Sequence, residues 1–315
     1  MIRDVSTPLD MTIEMGLMQV FAPAKINLSL RISGKRNDGF HEIETVIAPV
    51  SLADELTIEK QSRWIDFSCN DPSIPRGDDN LVVRAAKRFL EATKVKAGVA
   101  IALKKKIPHG AGLGGGSSDA ASTLLALNQV FETKLPREAL AKIAESIGSD
   151  VPFFIFQSPA ICRGRGELVT PIELRERLRT ASRAPIISGL SILLFKPEFG
   201  VPTAWAYQRW QNSREIPNVH YLPQEFANQI FQNELERPVF EKFVFLAEMK
   251  MWLLQQPEVG AALMSGSGST IFAVLRPNAD ADPSRRSLEK ADLLANRAKA
   301  ALDPKLWTCG CEAIG

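Results

Sequence analysis

The chain is predicted to be an α+β protein of two domains, and three observations carry that expectation. Its 315 residues are about twice a typical domain. In each half, strand-like runs come before helix-like runs instead of alternating with them, which favours α+β over a doubly wound sheet. Between an apolar alternation (residues 99–106) and a helix-forming run (120–131) lies a stretch with five glycines in thirteen residues, 107–119. Strand, glycine loop and helix in that order make a phosphate site.

The elements follow in order. Residues 1–19 contain Asp4, Asp10 and Glu14 and lack an apolar run, so they read as a flexible extension and not a secretory leader, with Met11, Met15 and Met18 as alternative starts. A first domain is expected over 20–180 and a second over 181–315. Residues 21–32 alternate with period two from Ile26 onward. As a strand they put Lys25 and Asn27 on one face and Ile26, Leu28 and Leu30 on the other. After a turn at 33–39, two strands are expected at 40–47 and 54–59, and a weaker one at 63–70. A helix over 80–92 sets Leu81, Ala85 and Phe89 on its apolar side. Pro136 and Gly148 bracket another helix. Residues 174–185 are basic and polar and read as a linker. In the second half a strand is expected at 191–195, a single long helix at 237–255, a glycine-serine turn running into a strand at 264–275, and a last helix at 288–302.

In the glycine stretch, Gly110, Gly112, Gly114, Gly115 and Gly116 allow positive φ and close approach to a ligand. Ser117 and Ser118 sit at the expected N-cap of the following helix. Gly110 to Gly115 match G-x-G-x-x-G, but no second strand with a ribose-binding acid follows, as a dinucleotide fold requires. The last glycine is followed by Ser117 and not Lys, so the Walker pattern fails, and the H-R-D and D-F-G segments of protein kinases are absent.

A formal charge of +2 gives no argument for nucleic acid or an anionic membrane. No apolar run is long enough for a transmembrane helix. Three His and four scattered Cys do not make a zinc site, and no protein-built metal cluster is expected. Unpaired thiols fit a cytoplasmic protein.

Five segments in order resemble the GHMP kinases: Pro23 to Leu28, Gly39 to Ile43, Ile107 to Ala121, Gly148 to Phe154 and Met264 to Ser269. The second is similar to the part that holds cytidine in the members acting on a cytidine-diphosphate-linked erythritol. The likeness runs from Phe21 to about Leu275. It implies a ribosomal S5 domain 2-like N-terminal domain, a ferredoxin-like C-terminal domain, and an active site between them. The implied reaction passes the γ-phosphate of ATP, with Mg²⁺, to the 2-hydroxyl of the erythritol unit in the non-mevalonate isoprenoid route. The implied partner is a small molecule carrying cytidine diphosphate, handled by a monomer or weak homodimer.

The resemblance places ATP on Pro108, His109, Gly110, Ala111, Gly112, Leu113, Gly114, Gly115, Gly116, Ser117 and Ser118, with Asn80 near the adenine. His109 lies in the loop without an assigned chemical role. Asp150 is the candidate proton acceptor, or else a turn aspartate. Lys25, in an apolar strand start, is either a catalytic cation beside Asp150 or a strand-end lysine with its head in water. Asn27 would touch the substrate. Cytosine is expected between Phe40 and Tyr207, with His41 reading its edge. Phe40 stands where many members carry Tyr, which keeps stacking and removes a phenol hydrogen bond.

Overall fold

The computed structural model describes residues 12–14, 17–172, 187–277 and 283–314. Thr12–Glu14 (β1) pairs antiparallel with Leu17–Lys35 (β2), so the extension expected to be frayed over 1–19 is paired in part. The reason is local: Met18 and Val20 are buried in the core, and β1 completes the edge beside them. β2 runs antiparallel to His41–Gln61 (β3) over almost its whole length. The two strands expected at 40–47 and 54–59 are thus one. The intervening Ala48, Pro49 and Val50 pair with Ile26, Lys25 and Ala24, and bulges on either side absorb the misfit.

Ile65–Cys69 (β4) lies parallel to Gly98–Lys104 (β5), with helix Leu81–Thr93 (α1) crossing between them. Gly115–Val130 (α2), Arg137–Glu145 (α3) and Val151–Phe156 (α4) follow. Ala160–Gly164 (β6) pairs with β3 and with Leu168–Pro171 (β7). The core under these helices joins Phe89 of α1, Leu124 and Leu127 of α2 and Phe153 of α4 to Leu56 and Ile101 of the sheet.

The second half contains Ser191–Lys196 (β8), Thr203–Arg209 (α5) with a 3₁₀ turn at Trp210–Asn212, then Gln224–Phe226 (β9) and Gln229–Asn233 (β10). Glu236–Lys242 (α6), Val244–Leu254 (α7), Val259–Met264 (β11), Ile271–Leu275 (β12), Pro283–Ala301 (α8) and Trp307–Glu312 (β13) complete it. The second sheet has the order β11-β12-β8-β13. Numbered by its own strands that is 2-3-1-4, the split βαβ arrangement of a ferredoxin-like domain. The α+β expectation therefore holds in both halves.

One further expectation needs correction. The helix expected over 237–255 is broken at Phe243 (φ −109°, ψ 67°), whose ring stacks on Phe199 at 5.4 Å and meets Trp205 edge-on at 5.8 Å. Ring packing outweighs continuous helix propensity there. The second half also contributes to the first sheet. β10 adds parallel to β2, Gln232 opposite Ser29 and Asn233 opposite Leu30, and gives the first sheet the path β4-β5-β3-β2-β10-β9. The linker expected at 174–185 lies outside the described residues.

Phe89 is fully buried and packs 6.5 Å from Phe131. Phe89→Ala is expected to destabilise the first core by about 3–5 kcal/mol, read as a lower denaturant midpoint at unchanged m-value.

Candidate active site

Between the two sheets lies a cleft of about 870 Å³. Pro108 through Ser117 line it, together with Lys25, Asn27, Phe40, His41, Asn80, Asp150 and Tyr207, so the predicted residues converge except Ser118. Gly110, Gly112 and Gly114 have φ of 63°, 75° and 70°. At Gly112 a side chain would collide with the backbone of Ser265 and Gly268. Gly114 occupies the cap position of α2, and no side chain caps the helix. Ser117 and Ser118 therefore lie inside the first turn, not at the N-cap, because the left-handed Gly114 has already turned the chain. The first-turn N–H groups have no intrahelical acceptor and carry the positive end of the dipole, a setting for phosphate oxygens. Ser117 faces the cleft, whereas Ser118 is fully buried with no partner for its hydroxyl.

Beneath the loop sits a buried ionic group that the sequence reading missed. Lys105 Nζ donates to Asp54 and, at 2.8 Å, to Asp119 Oδ2. Asp54 Oδ1 also accepts from the N–H groups of Lys106 (2.5 Å) and Ile107 (2.8 Å), which fixes where the loop begins. Burial opposes the Lys105 charge, but the Asp119 and Asp54 carboxylates outweigh it and raise its pKa. Burial pushes the Asp119 carboxyl well above its ordinary range against the pull of Lys105. The three consecutive lysines were visible in the sequence, but Asp54 lies 51 residues from Lys105 and only the fold joins them.

Lys25 is 4% exposed, which excludes the reading with its head in water. Its Nζ donates to Asn27 Oδ1 at 2.6 Å and to the Gly112 carbonyl at 2.8 Å. Asn27 Nδ2 donates to Thr45 Oγ1 at 2.9 Å, so strand β3 orients the amide. Burial lowers the Lys25 pKa, and Asp150 opposes that. The two line one cleft, close enough for the Asp150 charge to act on Lys25, and the ammonium's hydrogen bonds are taken by Asn27 and Gly112.

Asp150 stands at the cap position of α4, yet its side chain makes no capping hydrogen bond. Turn chemistry therefore does not use the carboxylate. Its charge reaches Lys25, Cys162 and Tyr207. Burial, then Asp150, pushes the Cys162 thiol up to about 12, so it stays neutral beside the site.

Phe40, His41 and Tyr207 all line the cleft. Tyr207 lies against His41, centroids 5.5 Å apart and 30° between planes, while the Arg165 guanidinium covers Phe40 at 4.7 Å. Phe40 is 49% exposed. The β2–β3 ladder shifts register between Ile32 and Gly34, next to His41, and such a bulge re-aims side chains. Burial first, and then Lys35, lowers the His41 pKa. Asn80 has both ends of its amide engaged: Oδ1 accepts from Val82 N at 2.8 Å and Nδ2 donates to the Pro75 carbonyl at 2.6 Å. Its helix-capping role is the one observed. Sequence reasoning also missed Arg165 and Thr203, the latter hydrogen-bonded to Ser267 at 2.8 Å.

The second half closes over the loop, with Ser265 Oγ donating to the Gly112 carbonyl at 3.0 Å and Thr270 N to the Ala111 carbonyl at 3.2 Å. Among the described residues no group of three or more His, Cys, Asp or Glu could hold a metal, and no helix is long and apolar enough to cross a membrane.

This combination of two α+β units and a glycine loop clamped between them is that of the GHMP kinases. Residues 80–158 match the family model for the GHMP kinases N terminal domain and residues 220–293 that for GHMP kinases C terminal. A relative from Methylacidiphilum infernorum, 4-diphosphocytidyl-2-C-methyl-D-erythritol kinase, is 39% identical over 288 residues, covering 91% of this chain and 93% of its own. A crystal structure of 4-(cytidine 5'-diphospho)-2C-methyl-D-erythritol kinase superposes with a TM-score of 0.70 at 34% identity, over 94% of this chain and all of the other. Homoserine kinase from Cytophaga hutchinsonii shares the fold at 18% identity, with a TM-score of 0.63 and 96% of each chain covered. The chain belongs to the 4-diphosphocytidyl-2-C-methyl-D-erythritol kinase family.

Lys105→Met would leave two carboxylates buried without their cation. A loss of about 3–5 kcal/mol in chemical denaturation is expected. Asp54→Asn in the same background should recover part of it.

Proposed function

We propose that this chain transfers the γ-phosphate of ATP to the 2-hydroxyl of 4-diphosphocytidyl-2-C-methyl-D-erythritol, the compound in its relatives' name. The observation that carries the reading is the line of groups along one cleft. At one end is a glycine loop at a helix N-terminus, in the middle are Lys25 and an uncapped Asp150, and at the other end are His41 and Tyr207.

Phosphoryl transfer asks mainly for positioning and charge neutralisation. Residues 20–180 supply the loop, whose amides would hold the β- and γ-phosphates, and 181–315 supply Tyr207, Thr203 and the brace at Ser265. Asp150 accepts the proton of the attacking hydroxyl as that oxygen bonds to the γ-phosphorus, and the bond to the β-phosphate oxygen breaks to release ADP. Lys25 balances charge on the transferring group. Asn27 orients Lys25 and is placed to meet the polyol. Phe40, supported by Arg165, and Tyr207 offer flat faces for cytosine, and neutral His41 keeps one donor and one acceptor for its edge.

Mg²⁺ commonly takes one or two carboxylates and lets phosphate oxygens and water complete the shell. The cleft fits that need. Asp119 lines it with a buried Oδ1 that has no hydrogen-bond partner, Ser117 presents a hydroxyl in the first turn of α2, and Asp150 lines the same cleft. Bound there, the ion would neutralise phosphate charge.

The deciding experiment follows ATP consumption with the cytidyl substrate in wild type and Asp150→Asn. A kcat lower by about 10²–10⁴-fold with ATP affinity retained is expected. Turnover that survives removes Asp150 as proton acceptor. A wild type that ignores this substrate but phosphorylates mevalonate or homoserine overturns the function. A pH series adds a second check. Because the His41 pKa lies below its ordinary value, the imidazole is neutral at and above neutral pH. KM for the cytidyl substrate should be flat there and rise as pH falls through that depressed value, with the acidic rise absent in His41→Gln.

A further inference from the structure

Asn233 ends β10, lies opposite Leu30 of β2, and does not line the cleft. It is 6% exposed, and every polar atom of its amide is used. Nδ2 donates to the carbonyls of Met264 and Gly266, both at 2.7 Å, while Oδ1 accepts from Leu235 N at 2.9 Å. Two carbonyls converging on one side chain call for two donors in one plane, which an amide has and a hydroxyl or carboxylate does not. A buried ion pair backs this contact from behind. Glu236 accepts from Met264 N at 2.9 Å and from Lys250 Nζ at 2.5 Å, and Lys250 also donates to the His220 carbonyl at 2.6 Å. The Met264–Gly266 backbone is thus held from both sides.

What it is held against is the head of Lys25. Gly266 has φ +57°, and a Cβ built there would stand 3.2 Å from Lys25 Nζ, 3.2 Å from Asn27 Oδ1 and 3.5 Å from the Gly112 carbonyl oxygen. Asn27 Oδ1 and the Gly112 carbonyl are the two acceptors of Lys25. The Gly112 carbonyl is shared with Ser265 Oγ, one residue before Gly266. The turn therefore walls the ammonium in and shares an acceptor with it.

We propose that Asn233 is a positioning residue for Lys25: by pinning the Gly266 carbonyl it sets the wall that holds the ammonium on Asn27 and Gly112. Its part in the reaction rests on Lys25 serving phosphoryl transfer as proposed above. Asn233 does not line the cleft, so its effect on the rate of transfer runs through the placement of the ammonium and not through a contact of its own with ATP or the acceptor.

The test uses the full-length protein as Asn233→Ala, Gly266→Ala and the double variant, each checked for a cooperative melt. For Asn233→Ala, kcat is expected to fall roughly ten- to a hundredfold, since small misplacements of reacting groups cost that much. The dissociation constant of a non-hydrolysable ATP analogue and KM for the acceptor should stay within about threefold of wild type. Gly266→Ala, which leaves Asn233 and the ion pair in place, should give the same split, and the double variant should be no slower than the slower single. A second readout needs no substrate: trace acetylation with acetic anhydride, followed by peptide mass spectrometry. Lys25 should label severalfold faster in Asn233→Ala, with buried Lys196 unchanged as the control for general loosening. Retained kcat, additive losses in the double variant, or Lys25 labelling equal to wild type would each overturn the proposal. If wild type proves inactive on the cytidyl substrate, the function falls while the labelling result still decides where Lys25 is held.

Discussion

A lysine ammonium taken out of water must find acceptors, and much of this molecule is arranged around that demand at Lys25. One acceptor, Asn27, comes from the same strand, and the other, the Gly112 carbonyl, from the glycine loop. To present that carbonyl the loop must pass directly over β2, which Lys25 N also helps fix by donating to the Leu113 carbonyl at 2.9 Å. Gly112 must then be a glycine, since the second half of the chain presses on it from above. A single buried charge thus ties strand, loop and partner domain together, and leaves the first-turn amides of α2 open to the cleft.

The same logic sorts the other buried ions. Lys105 with Asp54 and Asp119, and Lys250 with Glu236, are both almost closed to solvent, and each ends on backbone N–H groups. Pairs of this kind add little net stability against apolar replacements, but breaking one is costly. Here each fixes the start of a functional turn: Asp54 at Lys106–Ile107, and Glu236 at Met264. Specific placement of backbone is what such pairs contribute in this fold.

How far the sequence could be read depended on the range of the interactions involved. The glycine loop was legible because its chemistry is local: glycine torsions and a helix start are properties of adjacent residues. Lys25 stood out as a cation in an apolar strand start. Its acceptor on Gly112 did not, being 87 residues away. Asp150 could be read as a turn residue or a base, and the structure bears only on the first, leaving its carboxylate without a capping bond. The break at Phe243 and the join across 48–53 were missed because both follow from packing partners that periodicity does not report. Asn80 could be read as an adenine neighbour or as a helix cap, and the structure shows the cap on a residue that also lines the cleft.

The addition of β10 to β2 has a consequence for how the protein is made. Ile32 N donates to Glu234 Oε2 across 202 residues, and Ala313 bridges Val50 in the middle of β3. During synthesis the first sheet therefore emerges with the Ser29–Leu30 part of its β2 edge open, and that part stays uncovered until residues 229–233 arrive. Exposed strand edges of this kind invite pairing with other chains, and contacts so distant in sequence form late. The glycine loop at 107–119 thus precedes by more than a hundred residues the strand that completes the sheet beneath it.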